Sequence, residues 1–102
     1  MNIFKIVITS KAQSDLAECI SFVLNVSKDA AHELSNEFFS SIKSLQTFPE
    51  RNSVFEMPKA FPFEIRRLVV RKRYVILYSI NGGEVVVYRI LDSRRKFNYI
   101  ID

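Results

Sequence analysis

Three apolar, β-branched runs, residues 65–70, 74–80 and 85–91, follow one another with only Arg71-Lys72-Arg73 and Asn81-Gly82-Gly83-Glu84 between them. Both joins are short enough for hairpins, so the runs are expected to form an antiparallel meander. The runs are nearly apolar on both faces. Helices are therefore expected over one face, and a neighbouring segment or a partner over part of the other. Nine of the fifteen Lys and Arg residues fall in residues 64–97 against three acids, whereas residues 1–63 carry six bases and seven acids. The formal net charge of +4 is thus local, and a concentrated basic surface attracts nucleic acid or an acidic protein segment.

Upstream of the meander the periodicity changes from strand-like to helical. Residues 3–9 place Phe4, Ile6 and Ile8 on one face of a first strand. Ser10 with Gln13 three residues on fits a capping box. Ala12, Leu16, Cys19, Ile20 and Val23 then recur at helical spacing to about Val26, with Asp15 and Glu18 between them. Ser27 and Asp29 suit the start of a second helix with the stripe Ala31, Leu34, Phe38, Ile42 and Leu45, ended by Phe48-Pro49. The two helices are expected to form an antiparallel hairpin. Residues 49–63 hold all three prolines and no clean period, and read as the one long connection. The expected class is α+β, in the order β-α-α-β-β-β, with an antiparallel sheet packed against a two-helix hairpin in a single domain, residues 1–102.

Composition removes several function classes. The N-terminal apolar stretch is too short, and too interrupted by Lys5, for a signal peptide, and no run approaches the roughly 20 apolar residues that span a bilayer, so a cytoplasmic protein without membrane association is expected. The single cysteine, Cys19, falls on the apolar stripe of the first helix and reads as a structural thiol. No Cys or His pair has metal spacing, and no Ser elbow or Cys-His arrangement is visible, so neither metal nor cofactor is expected. Asn81-Gly82-Gly83 is a turn between antiparallel strands, not a phosphate loop at a helix start.

The order of elements, together with Ala12, Leu16 and Ile20, the run Leu45-Gln46-Thr47-Phe48-Pro49-Glu50-Arg51, Arg66-Arg67-Leu68-Val69-Val70, Tyr74-Val75-Ile76-Leu77-Tyr78 and Arg89-Ile90-Leu91-Asp92-Ser93-Arg94-Arg95, resembles the RelE/ParE superfamily of toxins from type II toxin–antitoxin modules. The resemblance spans nearly the whole chain. It implies a small sheet with a helical hairpin on one side, a growth-inhibiting toxin of a plasmid stabilisation or addiction module, and neutralisation by a cognate antitoxin. Two functional classes coexist among such proteins. ParE-like members bind DNA gyrase and block it, whereas RelE-like members cleave mRNA on the ribosome; a degenerate, non-toxic member that only binds its partner is a third reading. A homodimer or a toxin–antitoxin hetero-oligomer would be in keeping with any of these.

Metal-free RNA cleavage needs cations at the crowded phosphate and a general acid and base. The candidate cations are Lys59, Arg66, Arg67, Arg89, Arg94 and Arg95. The only histidine, His32, lies in the second helix and reads as a solvated helix residue. The resemblance sharpens the choice between classes. Many members place an Arg directly after the strand-three Tyr, where this chain has Val75 after Tyr74, and many carry a His shortly after the last strand, where it has Asp92. Tyr99 resembles the C-terminal Tyr of ribonuclease members. Helices of about 16 and about 20 residues make a hairpin of roughly 25–30 Å at 1.5 Å rise per residue, a length that resembles ParE-like members. For a ParE-like toxin the target-binding surface would comprise Arg66, Arg67, Arg89, Asp92, Arg94 and Arg95; for a ribonuclease the working residues would be Arg66, Arg67, Arg89, Arg94 and Tyr99.

Overall fold

The computed structural model describes residues 3–56 and 61–94. Strand β1 (Lys5–Ile8) runs directly into helix α1 (Ser10–Leu24). The cap of α1 is Thr9 and not the expected Ser10: its Oγ1 accepts the Ala12 amide at 3.1 Å and donates to the Tyr88 carbonyl at 3.0 Å. One hydroxyl thus ends the strand, starts the helix and ties both to the sheet, which moves the start of the helix one residue earlier. Gln13 Nε2 donates to the Ile8 carbonyl at 3.0 Å.

Helix α2 (Lys28–Ser44) begins at Ser27, whose Oγ accepts the Ala30 amide at 3.1 Å, and carries Asp29 in its first turn, where a carboxylate suits the helix dipole. It stops before the expected Phe48-Pro49 because residues 45–47 tighten into i→i−3 hydrogen bonds and Phe48 adopts a left-handed φ of 53°. Arg51 then covers the exposed helix end, its Nη1 donating to the carbonyls of Ser44, Thr47 and Phe48 at 3.2, 2.8 and 3.0 Å. Pro49–Arg51 form a single 3₁₀ turn. Pro49 is buried, and its carbonyl accepts the Tyr78 hydroxyl at 2.6 Å. The Phe-Pro-Glu-Arg run is therefore a fastening of the helix end to the sheet.

The remaining strands are β2 (Arg66–Val70), β3 (Tyr74–Asn81) and β4 (Glu84–Asp92), and the sheet order is β1-β4-β3-β2. The expected meander is present, with β2, β3 and β4 antiparallel, and β1 joins it parallel to β4, Lys5 opposite Glu84 and Ile8 opposite Val87. In the β2–β3 join Arg71 and Lys72, the central residues of a turn closed by the Arg73 amide on the Val70 carbonyl, both have φ of 56°, and Arg71 is ion-paired to Glu37 of α2. Gly82, at φ 61°, serves the β3–β4 turn.

Both helices cover one face. Ala12, Leu34, Phe38, Ile42 and Leu45 pack on Val70, Tyr74, Ile76, Tyr78, Val85, Val87 and Ile90. Phe38 meets Tyr74 edge-on at 5.1 Å. Cys19 joins this core from α1 as a partly buried side chain. The opposite face carries a smaller cluster of Ile65, Val75, Leu77 and Leu91, against which Phe55, Phe61 and Tyr88 of the connection and β4 pack. The expectation that a neighbouring segment covers part of the second face is met, because the connection folds back there: Val54 bridges Arg66, and the Phe55 amide donates to the Ile65 carbonyl at 2.7 Å.

Candidate functional site

Strand β4 is longer than its parallel neighbour. Strand β1 ends opposite Val87, so among the described residues no strand lies beside residues 88–92 of β4 on that edge. Between Leu77 and Tyr78 the β3–β4 register shifts: Leu77 faces Arg89, Tyr78 faces Val87, and Tyr88 is the extra residue of a bulge. Bulges re-aim the side chains that follow them. Here Arg89 reaches α1, its Nε donating to Asp15 Oδ2 at 2.7 Å and its Nη2 to Asp15 Oδ1 at 3.1 Å. The Ile90 amide donates to the same Oδ2 at 3.0 Å. Asp15 therefore satisfies both a buried cation and an open strand edge, and the side chains of the pair are only 10% and 12% exposed. Asp15 was legible only as a polar residue between apolar positions of a helix; its role depends on a partner 74 residues away.

Beyond Asp15, α1 and the end of β4 diverge around a cleft of about 610 Å³. Its α1 wall includes Lys11, Asp15, Cys19 and Phe22, and its sheet wall Arg73, Tyr74, Ile90 and Asp92, with Arg94 at the rim. At its mouth Asp92 is held between two guanidiniums. Arg73 donates to Asp92 Oδ2 through Nε at 3.4 Å and Nη2 at 3.2 Å, and Arg94 through Nε at 3.3 Å and Nη2 at 2.9 Å. The Arg94 side chain is 61% exposed, Arg73 34% and Asp92 14%. The Arg73 guanidinium also lies over the Tyr74 ring, 5.0 Å from its centre. Burial holds the Tyr74 phenol above its ordinary range, so it stays protonated at neutral pH.

The other sequence-predicted residues are dispersed. Arg66 is bound inward, its Nη1 donating to the carbonyls of Asn52 and Glu50 at 2.7 and 3.2 Å and its Nη2 to Glu64 at 3.1 Å, so it pins the connection. Arg67 and Val69 are exposed on the second face of the sheet. On that face Phe63 stacks on Tyr88 at 6.5 Å and Phe61 meets Tyr88 edge-on at 5.9 Å, beside an apolar pocket of about 260 Å³. Val75 is buried, and His32 is exposed on α2, which contributes no residue to the cleft. Lys59, Arg95 and Tyr99 lie outside the described residues. Arg94 and Asp92 are thus brought together, Arg89 sits behind them, and Arg66 and Arg67 stand on the far side of the sheet's hydrogen-bonded order. In sequence Arg73 stands only in the short join between two strands; the register opposing Tyr74 to Asp92 is what carries it to the cleft.

None of the described helices is long and apolar enough to cross a membrane. Among solved structures, the chain is similar in fold to a chain of the chromosomal ParDE toxin–antitoxin system from P. aeruginosa, at 20% identity over 88% of this chain and 96% of that one, with a TM-score of 0.70. It is also similar to a chain of the RelBE2 toxin–antitoxin complex from Mycobacterium tuberculosis, at 20% identity over 90% of this chain and 93% of that one, with a TM-score of 0.55. No functionally curated protein matches the sequence significantly. The family model for the ParE toxin of type II toxin–antitoxin systems of the parDE kind matches residues 6–97, from the first strand through the basic end of the meander. On that match, and with the β-α-α-β-β-β order of its fold, the chain belongs to the ParE toxin family within the RelE/ParE superfamily.

Proposed function

We propose that this toxin acts by binding DNA gyrase and inhibiting it in the cytoplasm, and that a cognate antitoxin holds it inactive. The observation that carries this reading is the engagement of Arg89, one of the cations a cleavage mechanism could place at the phosphate, and of Asp92, a carboxylate that could otherwise serve as a base. Arg89 is locked on Asp15 behind the cleft, and the Asp92 carboxylate is occupied by Arg73 and Arg94. A phosphate clamp needs a guanidinium that can reach solvent, and a general base needs a carboxylate lone pair open to the substrate hydroxyl. Val75, at the position after Tyr74 where ribonuclease relatives carry a cation, is a buried core residue. What the site does present outward is Arg94 beside a cleft lined by both charged and apolar residues, an arrangement for docking a macromolecule. The same toxin would serve the addiction role of a plasmid or chromosomal module.

The test is induced expression followed by separate assays of DNA supercoiling and mRNA integrity. Purified protein should inhibit gyrase supercoiling and leave ribosome-bound mRNA uncut. Codon-dependent cleavage in the ribosomal A site, lost on Arg94→Ala or Tyr99→Phe, would instead make the chain a ribosome-dependent endonuclease.

A further inference from the structure

The end of the sheet that carries the β2–β3 turn gathers cations from two separate stretches of chain. Arg71, Lys72 and Arg73 form the turn, and the register that sets Tyr74 opposite Asp92 brings Arg94 beside them. The Ser93 amide donates to the Arg73 carbonyl at 2.7 Å, which joins the two stretches into one edge. Two carboxylates are paired with these four cations: Glu37 holds Arg71, and Asp92 holds both Arg73 and Arg94. To the described residues the Arg71 side chain donates from Nε alone, and those of Arg73 and Arg94 from Nε and Nη2 alone. A guanidinium has five N–H donors, so all three retain some for another acceptor. Lys72 is exposed at the tip of the turn.

The backbone of this turn is itself informative. Positive φ at both central residues is ordinarily left to Gly, Asn or Asp, because a longer side chain is strained there. At the other hairpin, β3–β4, this same chain meets a positive φ with Gly82. At β2–β3 it places Arg71 and Lys72 in that region instead, both at φ 56°. Strain retained where a relaxed residue was open to the sequence points to a use for the side chains. Here the use is positive charge at the outermost point of the sheet. The side chains around it decide what that charge meets. Val70 and Tyr74, which flank the turn, are each only 3% exposed, so the tip lacks the apolar anchors by which a protein partner is held. Tyr74 lies beneath the Arg73 guanidinium, and the exposed Phe22 stands on the α1 wall of the cleft. The tip thus has no aromatic platform for the unstacked bases of a single strand. Cations alone, spread over a turn and a strand end, suit the regular phosphates of a duplex, which they meet without reading sequence.

We infer that the Arg71–Arg73 turn and Arg94 form a contact site for the phosphate backbone of duplex DNA. The choice of DNA among duplexes rests on the gyrase reading, since that enzyme works on duplex DNA and brings the polymer within reach of a bound toxin. The site adds a second, direct hold on the nucleic acid to the hold on the protein.

The experiment titrates the full-length toxin into a short fluorescein-labelled DNA duplex of mixed sequence, read by anisotropy over a range of salt concentrations and without gyrase. With Arg71, Lys72 and Arg94 making about three phosphate contacts, affinity should fall about 40-fold between about 50 and about 200 mM salt. Lys72→Gly removes one contact, and the same change in salt should then lower affinity only about 12-fold. Lys72→Asn should do the same. Both replacements suit a positive φ, so both variants should melt at or above the wild-type temperature, and lost affinity then reports lost charge. Lys5→Gln, at the opposite end of the sheet, should leave the salt dependence unchanged. Absence of duplex binding at low salt, or an unaltered salt dependence in both Lys72 variants, overturns the inference. So does preference for single-stranded RNA or for polyglutamate over the duplex. A supercoiling assay on the same proteins keeps the two readings apart. Gyrase inhibition by a toxin without DNA affinity overturns the inference and leaves the gyrase reading standing, whereas DNA affinity without gyrase inhibition upholds the site and removes that reading.

Discussion

Replacing Asp15 with Ala should unfold this protein more readily than almost any other single change outside the apolar core. The substitution leaves the Arg89 guanidinium, 10% exposed, without the carboxylate that receives two of its donors, and it strips the Ile90 amide of its acceptor. Breaking a buried ion pair by removing one partner typically costs about 3–5 kcal/mol, and stranding a backbone amide adds about 1–3. Some of this is recovered because water can enter through the adjoining cleft, so we expect a loss of about 3–5 kcal/mol in total. Against the roughly 5–15 kcal/mol that holds a domain folded, and with each kcal/mol worth about 4–8 °C in a domain of up to about 100 residues, the midpoint should fall by at least about 12 °C. Urea and thermal melts followed by circular dichroism measure it. A double mutant, Asp15→Leu with Arg89→Met, should recover much of the loss, since an apolar pair of similar volume often matches a buried ion pair. If Asp15→Ala cost less than about 1 kcal/mol, or if the double mutant were as unstable as the two single mutants combined, the pair would not be the latch that joins α1 to β4.

Charge reversal at Arg94 and Arg95 should abolish toxicity with the fold intact. Arg94 is exposed, and an exposed ion pair contributes at most about 1 kcal/mol, so a folded double mutant that still arrests growth would remove these residues from the target-binding surface. Base should destabilise the protein through its tyrosines. Burial raises the pKa of Tyr74 and Tyr78 above the unfolded value of 10.0, so the native state holds these protons more tightly than the unfolded chain. Their contribution is full below that value and is lost as pH rises through the higher folded pKa values; melts at rising pH should be flat to near 10.0 and then fall, and an unchanged stability well above it would contradict the burial argument.

The elements were legible because their apolar periods are clean. Leu34, Phe38 and Ile42 recur every four residues, and the three meander strands are joined by turns too short to misread. What escaped was whatever depends on long-range geometry. Nothing local in Lys5-Ile6-Val7-Ile8 says that the strand runs parallel to β4, and nothing in Val87-Tyr88-Arg89 announces a bulge. That bulge decides the fate of Arg89, which its neighbours in sequence present as one more basic surface residue. Asp92 and Arg94 could be read as a site because they are two residues apart. Arg73 and Asp15 could not, because the first arrives by strand register and the second by the docking of a helix. Ser10 lost the cap to Thr9 because Thr9 has a second partner in Tyr88, and a sequence motif records only the first.

The parallel pairing of the first strand with the last also governs the order in which the chain can assemble. Lys5 meets Glu84, so closing this contact encloses most of the polypeptide, at an entropic cost of about 4 kcal/mol before any pairing offsets it. The meander, by contrast, closes through turns of two or three residues and can form as soon as it is synthesised. During translation β1 therefore has no strand to pair with until β4 has left the ribosome, although α1 can already pack on α2. The cleft between α1 and β4 comes into being only at that moment, and a nascent toxin remains without its assembled surface until then.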